Sequence, residues 1–127
     1  MREAFPELDV VQITAHGPLH LTTLVGLVGK DVLCISKESK HSMKMFDEIQ
    51  NCSTRSYKKI EVTKDNAANC IVMNGQLICK SSKENPEDAD ILKEENVGLP
   101  VRGLEISELE KAVGSLSCMS LRFQMPK

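Results

Sequence analysis

Two residue types in this chain are equipped for nucleophilic chemistry near neutral pH: five cysteines and three histidines. Cysteine attacks as its thiolate, and a neighbouring imidazolium is one of the standard means of lowering the thiol pKa into the working range. The same histidine can then protonate a leaving amine and activate water. The two need not be close in sequence, so the fold decides which cysteine meets which histidine. Cys118 stands in GSLSCMSLRF, residues 114–123, where a loop passes into an apolar stretch. A thiol there sits near the open end of a rigid element, although a small buried core residue is the commonest role of free cysteine. His16 and His20 have the i, i+4 spacing of a metal pair, but Gly17 and Pro18 between them prevent the helix that would bring both to one face. The cysteines are odd in number and form no CxxC pair, so neither a disulfide framework nor a zinc ribbon is indicated.

The elements that must position these residues follow a repeating order. Residues 8–14, LDVVQIT, are mostly apolar and β-branched, as a strand covered on both faces would be. A second strand is expected over 19–28, a turn at Gly29, Lys30 and Asp31, and a third strand over 32–36. Ser36 and Ser39 offer N-caps for a helix ending near Gln50, with Ser42, Met45, Phe46 and Ile49 sharing its inner face. The order recurs: strands over 57–63 and 69–73, a favoured hairpin turn at Asn74 and Gly75, a strand over 76–80, then a helix with Asn85 as cap and Pro86 at its first position. A third copy begins near Val97 and inserts a short helix at 108–111. Ser107 and Glu110 stand there in capping-box spacing and Gly114 is the stop; residues 116–123 then read as a strand.

The period is roughly forty to fifty residues of strand, strand, strand and helix, and the last unit is cut short. When the units are superimposed, the second strands begin near His20, Asn69 and Cys118. If the units are related by rotation about an axis, equivalent positions converge on that axis, and His20 would face Cys118 across one central pocket. Stacked units of this kind usually need neighbours or caps at both ends.

Composition narrows the class. A length of 127 residues fits one domain of the mixed α/β (α+β) class, spanning 1–127. Sixteen basic against 18 acidic residues give a net charge of -2, with no basic block interleaved with aromatics, so nucleic acid and anionic membrane are poor partners. No apolar run approaches the roughly 18 to 20 residues of a membrane span, and residues 1–8 hold charges and Pro6 in place of a signal-peptide core. A cytoplasmic protein is the expectation.

Four segments carry a family resemblance. GPLHLTTLVGL, then LCISKES, KIEVTKDNAANCIVMN and ISELEKAVGSLSCMSLRF, resemble the C-terminal portion of the dimethylarginine dimethylaminohydrolases, in the same order and at near-equal spacing over residues 8–123. The resemblance implies the pentein architecture, a five-bladed propeller, of which this chain would form about two and a half modules. It implies that His20 is the catalytic histidine and Cys118 the nucleophile, acting on a methylated arginine to give citrulline and methylamine or dimethylamine, with no metal or organic cofactor needed. It also implies a backbone carbonyl contact to substrate from Ala112. Residues 112–115 read Ala-Val-Gly-Ser where the family typically has Val-Asp-Gly-Leu, so Val113 cannot supply an aspartate side chain, whereas a carbonyl contact from Ala112 needs no side chain.

The family's front half carries the acids that hold the guanidinium and the arginines that hold the amino-acid carboxylate. Burying a guanidinium without paired carboxylates costs several kcal/mol. The expectation is therefore that these ligands come from elsewhere, through a missing N-terminal half or self-association. Asp65 and Glu105 are the acids nearest the axis, although solvated loop ends describe both. The second functional reading is a truncated, inactive member that serves as a binding or assembly module.

Overall fold

The computed structural model describes Pro6 and residues 10–14, 20–95, 98–112 and 114–123. The order is α1 (Leu21–Leu24), β1 (Val25–Gly29), β2 (Val32–Ser36), α2 (Lys40–Cys52), β3 (Lys58–Val62), α3 (Asp65–Ala68), β4 (Ile71–Met73), β5 (Gln76–Lys80), α4 (Pro86–Glu95), β6 (Val101–Leu104) and α5 (Ser107–Glu110). The strands form two three-stranded sheets, β1-β2-β3 and β4-β5-β6, neither closed among the described residues. In each, an antiparallel hairpin is followed by a helix that returns the chain to a parallel third strand. The repeat is real, but its boundaries differ from those expected: β3 completes the sheet of the preceding unit instead of opening the next.

The middle strands are the most secure elements because their composition and burial agree. All five residues of β2 are buried, and β5 buries Leu77, Ile78 and Cys79 between polar ends. The hairpin between β4 and β5 turns through Asn74 and Gly75, both at positive φ (50° and 72°), the conformation that a two-residue turn matching strand twist requires. One core cluster, including Val28, Val32, Ile60, Val62, Leu77 and Leu92, draws on both sheets, and β1 packs against β4. A second, with Leu24, Val25, Leu33, Ile35 and Met45, lies under α2. That helix starts on Ser39, whose side chain accepts from Ser42 N–H at 3.3 Å, a cap worth about 1 kcal/mol. Its inner face holds Ser42 and Met45 buried, with Phe46 and Ile49 packed beside them, as the spacing predicts.

Four expectations are corrected. Residues 10–14 form no strand; Thr14 N–H instead donates to Glu48 Oε2 at 3.0 Å, and residues 8 and 9 lie outside the described set. The strand expected over 19–28 starts only at Val25, because Leu21–Leu24 makes a helical turn closed by Thr23 N–H to His20 O at 3.1 Å. Ser107 and Glu110 make no capping box: the Ile106 and Ser107 N–H groups both donate to Glu84, and Glu110 is drawn to Lys80. Residues 116–123 form no strand; the chain turns back on itself with Met119 N–H to Ser115 O at 3.1 Å.

Two polar contacts fix the turns on which the site is built. Ser42 Oγ, buried in α2, donates to Leu24 O and accepts from Ser36 N–H, tying the end of α1 to the first sheet. Asp88, 1% exposed on α4, accepts from Thr63 N–H at 2.6 Å and Lys64 N–H at 3.3 Å, at the entrance to α3. Burial alone would raise the Asp88 pKa, but these bonds and one from Asn85 hold it below the ordinary value. Between the two turns, β1 comes so close to α3 that a Cβ at Gly26 would stand 2.2 Å from Ala68 O. Gly26→Ala is therefore expected to cost about 3 kcal/mol through overpacking against backbone that cannot yield. Denaturant unfolding of the variant checks this, and a change under about 0.5 kcal/mol would show that the approach is looser than described.

Candidate active site

His20, Asn69 and Cys118 do converge, though each lies beside a helical turn and none opens a strand. His20 is the N-cap of α1. Its backbone is extended (φ -118°, ψ 129°), its carbonyl closes the turn, and its imidazole makes no cap bond to α1. Cys118 lies in the turn after α5. Leu116, two residues earlier, is buried with Ile71, Ile78 and Ile106, which anchors the turn on the second sheet. The result brings Cys118 Sγ to 3.4 Å from His20 Nδ1, across 98 residues of chain. In the thiolate–imidazolium form, Nδ1–H donates to the sulfur.

Cys118 is exposed, contrary to the role usual for a free cysteine. Its pKa is lowered to about 6, first by the hydrogen bond with His20 and then by the Ser115 hydroxyl, at 3.5 Å, and backbone N–H. The contrast with the interior is large. Cys34, Cys70 and Cys79 share one core cluster. The Cys70 thiol is pushed well above its ordinary value by the hydrogen bond with Cys34 and by burial, and burial takes Cys79 up to about 11. Cys70 sits only 2 residues from the Ala68 carbonyl to which its Sγ donates. Cys52 is exposed at the end of α2.

Sequence reasoning missed Asn69, Ser115 and Ser117. The Asn69 side chain, 2% exposed, donates through Nδ2 to Thr22 O at 2.7 Å and to Ser117 Oγ at 2.8 Å, and its Oδ1 accepts from Ser117 N–H at 2.7 Å. The superposition of repeats had placed Asn69 level with His20 and Cys118; the signal was position, because a carboxamide does no acid, base or nucleophilic chemistry of its own.

The remaining expected site residues are less involved. Ala112 is exposed, with its N–H donating to Leu109 O at 3.0 Å; Val113 and His16 lie outside the described residues. Asp65 is exposed in the first turn of α3, and Glu105 is exposed and paired with Lys83 Nζ at 2.6 Å, so both read as solvated acids. Among the described residues no group of three or more His, Cys, Asp or Glu could hold a metal ion, and no helix is long and apolar enough to cross a membrane.

No protein-family model matches the sequence. Solved structures do. A dimethylarginine dimethylaminohydrolase variant with histidine replaced by glycine, an adduct with S-methyl-L-thiocitrulline, is 26% identical, with a TM-score of 0.63 over 85% of this chain and 38% of that one. The chain is similar to part of the dimethylarginine dimethylaminohydrolases. The enzyme from Pseudomonas aeruginosa, a cysteine-to-serine variant complexed with citrulline, is 26% identical with a TM-score of 0.59, covering 91% of this chain and 40% of that one. A further dimethylarginine dimethylaminohydrolase, an adduct with 4-chloro-2-hydroxymethylpyridine, is 29% identical with a TM-score of 0.57. Agmatine deiminase from C. jejuni, 19% identical with a TM-score of 0.53, shares the fold. The chain thus spans 38–40% of the length of the dimethylarginine dimethylaminohydrolase structures it matches.

Alkylation of Cys118 should follow a pH profile with its midpoint near about 6, because the thiolate forms above that value and is lost below it. Cys34, Cys70 and Cys79 should stay unmodified in the folded chain. Peptide mapping after brief exposure to a haloacetamidine at a series of pH values checks this, and equal labelling of buried and exposed thiols would contradict it. Cys70→Ala is expected to cost roughly 1 to 2 kcal/mol through a small cavity and to leave Cys118 labelling intact.

Proposed function

We propose that this chain carries the cysteine and histidine of a dimethylargininase-type hydrolase, in a partial propeller of pentein modules. The observation that supports this best is the 3.4 Å contact between Cys118 Sγ and His20 Nδ1, made by residues from different repeats. The Cys118 thiolate attacks the guanidinium carbon of a methylated arginine, forming a C–S bond and a neutral tetrahedral adduct. His20, protonated, gives its proton to the methylated nitrogen; the C–N bond breaks and methylamine or dimethylamine leaves. His20, now neutral, takes a proton from water as the oxygen adds to the same carbon. The C–S bond then breaks, the thiolate returns, and citrulline departs after giving its extra proton to solvent. On this reading the Ala112 carbonyl contacts substrate, as the family resemblance implies, a role that needs backbone alone. No cofactor enters this sequence.

A second reading, an assembly module without activity of its own, is favoured by exposed apolar side chains: Leu121 is 89% exposed, Phe123 75% and Leu27 56%. Surface of this kind favours association with a second copy or with a chain supplying guanidinium-binding acids. Both readings are tested together by measuring solution mass and citrulline release from methylated arginine, with and without a supplied front half. We expect self-association of the chain alone, weak release that rises on addition of the front half, and loss of at least a hundredfold of that release in Cys118→Ala and in His20→Ala. Release that persists in Cys118→Ala would refute the enzymatic reading. A monomer with full activity alone would refute the need for a partner.

A further inference from the structure

The polar atoms of the Asn69 side chain are used to join two separate segments, and those segments carry the two reacting groups. Thr22, whose carbonyl accepts from Nδ2, lies two residues after His20; Ser117, bonded through both its N–H and its hydroxyl, immediately precedes Cys118. Asn69 touches neither Cys118 nor His20 in any of these bonds. We propose that Asn69 is a positioning residue, a buried clamp that fixes the Cys118 turn against the His20 turn so that sulfur and imidazole meet in hydrogen-bonding geometry. This inference rests on the assignment of Cys118 and His20 as nucleophile and proton carrier.

The physical case is one of freedom removed. The Cys118 and His20 contact is at the surface, and an exposed pair that must hold two side chains in one geometry gains little by itself. Fixing the backbone on both sides, one residue from the sulfur and two from the imidazole, removes most of the alternatives that would separate them. A carboxamide suits the task because it presents one acceptor and two donors in a single plane. A carboxylate at the same place would set an oxygen against the Thr22 carbonyl, and an apolar side chain would leave the half-buried Ser117 N–H without this partner. Asn69 itself is delivered by α3, whose Ala68 carbonyl lies against Gly26 and whose entrance is held by Asp88.

The experiment compares the pH midpoint of Cys118 alkylation in the full chain, in Asn69→Ala and in Gln50→Ala. Gln50 is another side-chain carboxamide that ties backbone together, donating to Arg55 O at 3.1 Å and accepting from Tyr57 N–H at 2.8 Å, and neither bond reaches a reacting segment, so it controls for a general loss of stability. Thermal unfolding is recorded for each protein. The expected result is a wild-type midpoint of about 6, an upward move of about one pH unit or more in Asn69→Ala, and a midpoint that stays put in Gln50→Ala even where melting falls. A folded Asn69→Ala with the wild-type midpoint, or an equal move in Gln50→Ala, overturns the inference while leaving the nucleophile assignment standing. A wild-type midpoint in the ordinary thiol range overturns that assignment instead. Should Asn69→Ala fail to fold, amide exchange in the wild type decides: Ser117 N–H protected far beyond its neighbours supports the clamp, and exchange as fast as in an open turn overturns it.

Discussion

A buried carboxamide must find partners for its donors and its acceptor, and in this chain Asn69 finds them on two segments far apart in sequence, those of Thr22 and Ser117. Much of the surrounding architecture serves that meeting. Gly26 lets β1 come against the Ala68 carbonyl, which brings Thr22 within reach of the amide. Ser42 holds the end of α1, and Asp88 holds the approach to α3. Leu116, buried on the second sheet, brings the Cys118 turn to the same place.

The chemistry that results depends on environment more than on residue type. Cys118 and Cys79 are the same side chain, yet one is lowered to about 6 and the other raised to about 11. Hydrogen bonds from His20 and Ser115 favour the anion at the surface, while burial disfavours it in the core. Of the two, only the first can meet a substrate from solvent. The division leaves one exposed thiol with a lowered pKa and keeps three thiols as core packing.

The middle strands and the two longer helices were legible in the sequence because their signals are local. Residues 32–36 are buried throughout and 76–80 bury their three central positions; each run is bounded by turn residues, and Ser39 and Asn85 stand where helices begin. The short turns were not legible. Leu21–Leu24 is too brief to show helical periodicity and holds two threonines that read as strand. The expected capping box at Ser107 failed because Glu84, in the turn between β5 and α4, accepts from the Ser107 N–H that Glu110 would have taken. The alternation after Leu116 imitated a strand, but the Ser115 carbonyl turned the chain back. Superposition of the repeats set His20 level with Cys118, since it needs only order and spacing, and the family resemblance singled the pair out among fifteen combinations of histidine and cysteine. Asn69 was aligned with them and left without a role, because its contribution is geometric and depends on backbone atoms that no sequence pattern displays.

The central claim is that His20 makes Cys118 a nucleophile. Its most direct measurement is the pH midpoint of Cys118 thiolate formation in His20→Ala, followed by thiolate absorbance against a Cys118→Ala blank. Removing the imidazole takes away the largest cause of the lowered pKa, so the midpoint should climb from near about 6 toward the ordinary thiol value of about 8.5. A midpoint in His20→Ala that matches the wild type would contradict the account, because the contact at 3.4 Å would then do nothing to the sulfur.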